Sequence, residues 1–176
     1  MENNNESFET SIDNNMDIEE KHIISLNKFI ILSIISFGLY ELWWIYKSWR
    51  FFQQKEKSDI MPALRTIFSI FFLIPLFNRI YDFAKEKGYN VNYSSVLLFI
   101  CFFVGNWMSY LPTPFWIIAV FSFAFLIPPF KALNFAKQNS TDFTVSEQTS
   151  FSSRQISLII IGLILWVLVL LGLFME

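Results

Sequence analysis

The chain has 176 residues, 54% of them hydrophobic and 19% aromatic with 22 Phe, against only 16% charged and a net charge of −2. A soluble domain carries nearer ~25% charged residues and could not wrap so much apolar surface in a polar shell, so a water-soluble globular protein is disfavoured. The single cysteine, Cys101, rules out an intrachain disulfide and a Cys-rich zinc site.

The first twenty residues hold seven acids (Glu2, Glu6, Glu9, Asp13, Asp17, Glu19, Glu20) and no base, leaving thirteen bases against eight acids in the rest. Phe8, Ile12, Met16 and Ile18 are spaced singly among Asn, Glu, Asp and Ser. Such a segment cannot bury enough apolar area to offset its ordering entropy, so residues 1–22 are expected to be a disordered acidic tail. An acidic head before the first apolar run does not fit a secretory signal. His22, the sole histidine, is expected to be a solvated flank residue.

Five apolar runs follow. The first, Phe29 to Tyr46, ends in Trp43, Trp44, Tyr46, Lys47, Trp49 and Arg50, the aromatic and basic cluster that anchors a helix end at headgroup depth. Phe51 to Ser58 is expected to carry the helix on into water. The second run is charge-free only over Ile67 to Phe77, so it either crosses with Arg65 or Arg79 at its ends or re-enters. Pro75 predicts a kink in it, and Gly88 a helix stop. The third run, Tyr93 to Leu111, and the fourth, Phe115 into Phe130, are joined by Leu111-Pro112-Thr113-Pro114, which is long enough only for a tight turn and implies an antiparallel hairpin. Residues 140–153 read as a mobile polar linker. The last run, Ile156 to Phe174, has nineteen uncharged residues, roughly 28 Å of helix against ~30 Å of hydrocarbon.

A bilayer offers no partners to backbone amides, so these runs must be helical. The expected fold is all-α, a polytopic transmembrane bundle of about five spans, or four if the second is re-entrant. Residues 23–139 form a four-helix membrane domain and residues 154–176 a final transmembrane helix. Phe72-Leu73-Ile74-Pro75-Leu76-Phe77 returns as Phe125-Leu126-Ile127-Pro128-Pro129-Phe130, and Phe83-Ala84-Lys85 as Phe135-Ala136-Lys137. Either runs two and four are equivalent helices of a repeat, or a Phe-rich chain matches itself by chance.

With five spans, Lys21, Lys28, Arg79, Lys85, Lys87, Lys131, Lys137 and Arg154 share the side of the N-terminus, and Lys47, Arg50, Lys55, Lys57 and Arg65 take the other. The excess favours an N-terminus inside. The expected location is a bacterial cytoplasmic membrane.

Glu41 interrupts the first run, where a carboxylate costs a few kcal/mol in hydrocarbon and calls for a partner or a proton. Arg65 and Arg79 on the next helix are the candidate partners, and with Glu41 they are the candidate intramembrane functional or ion-pair residues. The competing account makes Glu41 an interfacial carboxylate, since Tyr46 stands five residues, or roughly 7 Å of rise, away. Lys47, Arg50, Lys55 and Lys57 either bind anionic headgroups or simply mark topology. Asp82 and Glu86 read as a solvated face. No His-Glu-x-x-His, Gly-x-Ser-x-Gly, Cys-x-x-Cys or phosphate-cradling loop occurs, so neither catalytic residues nor a cofactor nor a metal is expected.

Phe37-Gly38-Leu39-Tyr40-Glu41-Leu42-Trp43-Trp44-Ile45-Tyr46-Lys47-Ser48-Trp49-Arg50, then Met61-Pro62-Ala63-Leu64-Arg65-Thr66-Ile67-Phe68 and Leu76-Phe77-Asn78-Arg79-Ile80, resembles a family of small bacterial multi-pass membrane proteins of unknown function. The likeness covers about residues 31–139. It implies a shared motif around Glu41 and brings no catalytic residue or cofactor. A non-enzymatic membrane protein engaged in scaffolding, lipid contact or membrane regulation is expected, with membrane lipids as partners, alongside further copies of itself or other membrane proteins, and no nucleic acid. The alternative is an oligomeric transport or channel component for an ion or small solute.

Overall fold

The computed structural model describes residues 22–112, 115–141 and 145–175; apart from His22, the expected acidic tail lies outside them. A two-residue strand, β1 (His22–Ile23), leads into α1 (Leu26–Ile35), α2 (Leu39–Glu56), α3 (Pro62–Ile67), α4 (Ser69–Glu86) and α5 (Ser95–Trp107). A 3-10 turn over Met108–Tyr110 prolongs α5, and a long 3-10 helix, Phe115–Leu126, runs into α6 (Ile127–Gln138). β2 (Ser146–Glu147) then pairs in parallel with β1, and α7 (Ser153–Met175) follows. The protein is mostly helical, in keeping with the all-α expectation.

Among the described residues two helical stretches are long and apolar enough to cross a membrane, Phe115–Gln138 and Ser153–Gly172, fewer than the five runs suggested. The first run is divided. Phe37 and Gly38 take φ of 51° and 83°, the left-handed region, and the Gly38 amide donates back to the Ser33 carbonyl at 3.1 Å. Ten residues of α1 rise only about 15 Å, half a bilayer, before the chain turns into α2. The second run is divided too, at Phe68, ahead of Pro75, and α4 runs on through the proline at which the sequence predicts a kink.

The long 3-10 helix follows its own period. Val120, Phe123 and Leu126 are buried while Phe115, Ile118, Phe121 and Ala124 are exposed, because three residues per turn line up every third side chain. It lies along α5, as the hairpin expectation required, with Gly105 at the closest approach: a Cβ there would stand 3.3 Å from the Ser122 Cβ.

Over Ser153–Gly172 of α7 the residues that are not exposed are Gln155, Leu158, Ile159, Gly162, Trp166 and Val169, a single helical stripe turned toward the bundle. The stripe meets the end of α1. The Trp166 indole N–H donates to the Ile34 carbonyl at 3.2 Å, and the ring packs on Phe37 at 4.5 Å between centroids. That carbonyl, which also accepts from the Phe37 amide at 3.4 Å, thus gains a second, side-chain donor at the end of α1.

The core lies between α1, α2, α4 and α6. Phe29 stacks on Phe130 at 4.4 Å and meets Tyr40 and Trp44 edge-on, and Trp49, Phe52 and Phe77 are fully buried. α4 packs on α6, and the echoed residues share their burial: Leu73 with Leu126, Leu76 with Pro129, Phe77 with Phe130, Ala84 with Ala136. Other echoed pairs differ: Phe83 is buried and Phe135 half-buried, Lys85 is exposed and Lys137 buried.

The sharing of basic residues between two sides needs correction. Glu56 of α2 is ion-paired with Arg79 of α4, Phe51 packs on Phe83, Lys55 lies 4.2 Å over the Phe83 ring and Lys137 of α6 lies 4.3 Å over Phe51. Groups in contact cannot stand on opposite faces of a ~30 Å bilayer. The polar ends of α2, α4 and α6 thus form one basic cap, which Arg65 joins through Trp49.

Candidate functional site

Three polar places emerge from this packing. Glu41 sits in the first turn of α2, 3% exposed, where the positive end of the helix dipole favours a carboxylate. Gly38, one turn back, leaves the volume the carboxylate occupies: a Cβ there would stand 3.3 Å from Glu41 Oε1. That oxygen has no hydrogen-bond partner among the described residues, and neither has the nearby buried Ser33 Oγ. Ser36 Oγ accepts from the Tyr40 amide at 2.9 Å and so caps the helix start beside it.

Arg65 and Arg79, the partners considered for Glu41, meet around Trp49 instead. The Arg65 guanidinium lies 4.4 Å from the Trp49 ring and 5.3 Å from Phe72, and the Arg79 guanidinium lies 5.7 Å from Trp49. Trp49 is two turns along α2 from Glu41, on the order of 12 Å. Among the described residues neither arginine pairs with Glu41; Arg79 bonds Glu56, and Arg65 balances on the indole face as a cation–π contact. Asp82 and Glu86 are exposed on α4.

The third place is a cavity of about 660 Å³ between α2, α6 and the segment leading into α7. Among the described residues Lys47, Lys137, Arg154 and Glu147 are the charged groups that line it. Lys47 and Arg154 lie over the Trp43 ring, 5.7 and 5.8 Å from its centre. Tyr40, Asn134, Gln148 and Gln155 add neutral polar groups to the wall.

The roof of this cavity is the polar linker, which is held rather than loose where it is described. Lys28 Nζ donates to the carbonyls of Gln148 and Thr149, the Gln148 amide donates to the Ile23 carbonyl at 2.9 Å, and Gln155 Oε1 accepts from the Ser152 amide at 2.9 Å and from Gln148 Nε2 at 3.0 Å. Across the cavity Asn134 Nδ2 donates to the Ile24 carbonyl at 2.9 Å. Gln155 is buried because it has this network to join.

Of these residues, sequence reasoning singled out Lys47, in a basic segment, and read Arg154 and Lys137 only as side markers. Gln148 and Gln155 carried no signal beyond being polar beside apolar runs. Their roles come from a parallel pairing of segments more than a hundred residues apart.

Compared with known proteins, the chain matches no family model, no curated protein and no solved structure.

Proposed function

We propose that this chain is an integral protein of the bacterial cytoplasmic membrane with a non-catalytic role in lipid contact and membrane organisation. The observation that carries this is α7: only 11% of its span is buried, and its remaining faces present Ile160, Ile161, Leu163, Ile164, Val167 and Leu168 outward. Apolar surface of that extent is stable against lipid and not against water.

In this reading α7 crosses the bilayer, and α5 with its 3-10 extension crosses and returns through the long 3-10 helix. The α1–α2 and α3–α4 pairs dip in and come back, their tips greasy with Phe68, Ile70 and Phe71. The basic cap then lies on the cytoplasmic side, as Lys and Arg excess favours.

Extraction of membranes at alkaline pH tests it: the chain stays with the lipid pellet, and release into the aqueous wash overturns the reading. A transport role is the second reading, supported by the buried, unpartnered Oε1 of Glu41. Solute flux in proteoliposomes that disappears in Glu41→Gln would establish it.

A further inference from the structure

The turn between α1 and α2 encloses two polar atoms that the rest of the bundle leaves unmatched. Glu41 is 3% exposed and Ser33 is fully buried, and Glu41 Oε1 and Ser33 Oγ both lack a hydrogen-bond partner among the described residues. They flank Gly38, whose amide donates to the Ser33 carbonyl at 3.1 Å. The missing side chain of Gly38 leaves the carboxyl its place, since a Cβ there would stand 3.3 Å from Oε1 and 3.6 Å from Cδ. The described bases of the neighbouring elements are engaged elsewhere. Lys28 of α1 bonds the Gln148 and Thr149 carbonyls, Arg65 of α3 lies over Trp49, and Arg79 of α4 bonds Glu56. Lys47 of α2 and Arg154 of α7 lie over Trp43, Lys137 of α6 lies over Phe51, and Lys131 is exposed. The long 3-10 helix brings no titratable residue, α7 has no further charge through Gly172, and the Tyr40 hydroxyl meets Gln155.

An ionised carboxylate so placed has given up its hydration without gaining a donor, and the dipole of α2 offsets only part of that loss. A protonated carboxyl leaves at most a neutral acceptor unmet and brings an O–H donor of its own. A hard metal cation would take about six oxygens, where this turn has two unpartnered buried side-chain oxygens among the described residues. We infer that Glu41 is a proton-binding site, its carboxyl carrying a proton while α1 packs on α2 and loosening the turn when that proton passes to water. The site stands on this packing and on neither functional reading above. Its release would be felt at α7, since Ile34 and Ile35, just before the turn, hold Trp166 and Gly162.

Dicyclohexylcarbodiimide tests this on the full chain in neutral detergent. The protonated carboxyl adds across one C=N bond, its oxygen to the carbon and its proton to the nitrogen, and the acyl group then shifts to the other nitrogen as a stable N-acylurea, with nothing lost. The main adduct is expected at Glu41 by peptide mapping, falling about tenfold or more from mildly acidic to alkaline medium. The packed form holds the proton and the unfolded form releases it, so thermal stability should fall as pH rises. Glu41→Gln, which resembles the neutral acid, should abolish the adduct, keep the parent's thermal midpoint in mildly acidic medium and flatten that pH dependence. A Glu41→Gln midpoint well below the parent's in mildly acidic medium, a pH dependence that survives the substitution, or an adduct undiminished in alkaline medium overturns the site. If Glu41→Gln does not fold, labelling of the parent decides alone, and absence of the Glu41 adduct overturns the site. Protection from labelling by sodium chloride and not by potassium chloride at equal ionic strength would make a metal ion the ligand and overturns the proton assignment too.

Discussion

Gly162 and Ile35 are in backbone contact: a Cβ on Gly162 would stand 2.7 Å from the Ile35 carbonyl carbon and closer still to its oxygen. This approach joins the short first helix to the final one and lets Trp166 reach the Ile34 carbonyl. In the proposed membrane placement a helix of ten residues needs such a neighbour, since its last carbonyls would have no water to turn to.

Gly162→Ala is therefore expected to destabilise the protein by about 1–3 kcal/mol through overpacking, and Trp166→Phe by about 0.5–1.5 kcal/mol through the lost hydrogen bond. Thermal unfolding in detergent reads both. A Gly162→Ala variant as stable as the parent would show that α1 and α7 do not pack this way.

Glu41 and Gly38 should behave as a coupled pair. Gly38→Ala imposes a Cβ at φ 83° and crowds the carboxylate, costing about 1–2 kcal/mol. Glu41→Ala removes the crowding partner, so the double variant is expected to lose less than the two single changes added together. Additive losses in a double-mutant cycle would separate the two residues.

Trp49 carries the arginine cluster by its burial, not by charge. Trp49→Ala should cost about 3–5 kcal/mol, whereas Glu56→Gln, at a pair more than a third exposed, should cost no more than about 1 kcal/mol. Denaturation midpoints that reverse this order would make the ion pair the principal support.

The basic cap predicts that α2, α4 and the linker share one side of the membrane. In a Cys101→Ser background, Asp59→Cys, Glu86→Cys and Ser150→Cys should react with an impermeant thiol reagent from the cytoplasmic side, and Tyr110→Cys from the other. Labelling of positions 59 and 86 from opposite sides would restore a full crossing between them and contradict the Glu56–Arg79 contact.

Helical character, the aromatic and basic boundary near Trp43 and the final span were legible in the residues, because length, charge and apolar content act locally and a bilayer leaves the backbone no alternative to internal hydrogen bonding. The echo of Phe72–Phe77 in Phe125–Phe130 was visible in the residues, and Leu73, Leu76 and Phe77 share burial with Leu126, Pro129 and Phe130, whereas Lys85 and Lys137 do not. Hydropathy alone could not reveal that Phe37 and Gly38 fold the first run back on itself, since the residues of the turn are as apolar as the helices they join and Phe is unusual in the left-handed region. Nor could it show that the bases of α2 and α6 lie at one end. That decision belongs to the tertiary structure: contacts such as Lys137 on Phe51 and β1 on β2 join segments far apart in the chain, and no local propensity records which distant surface a side chain will meet.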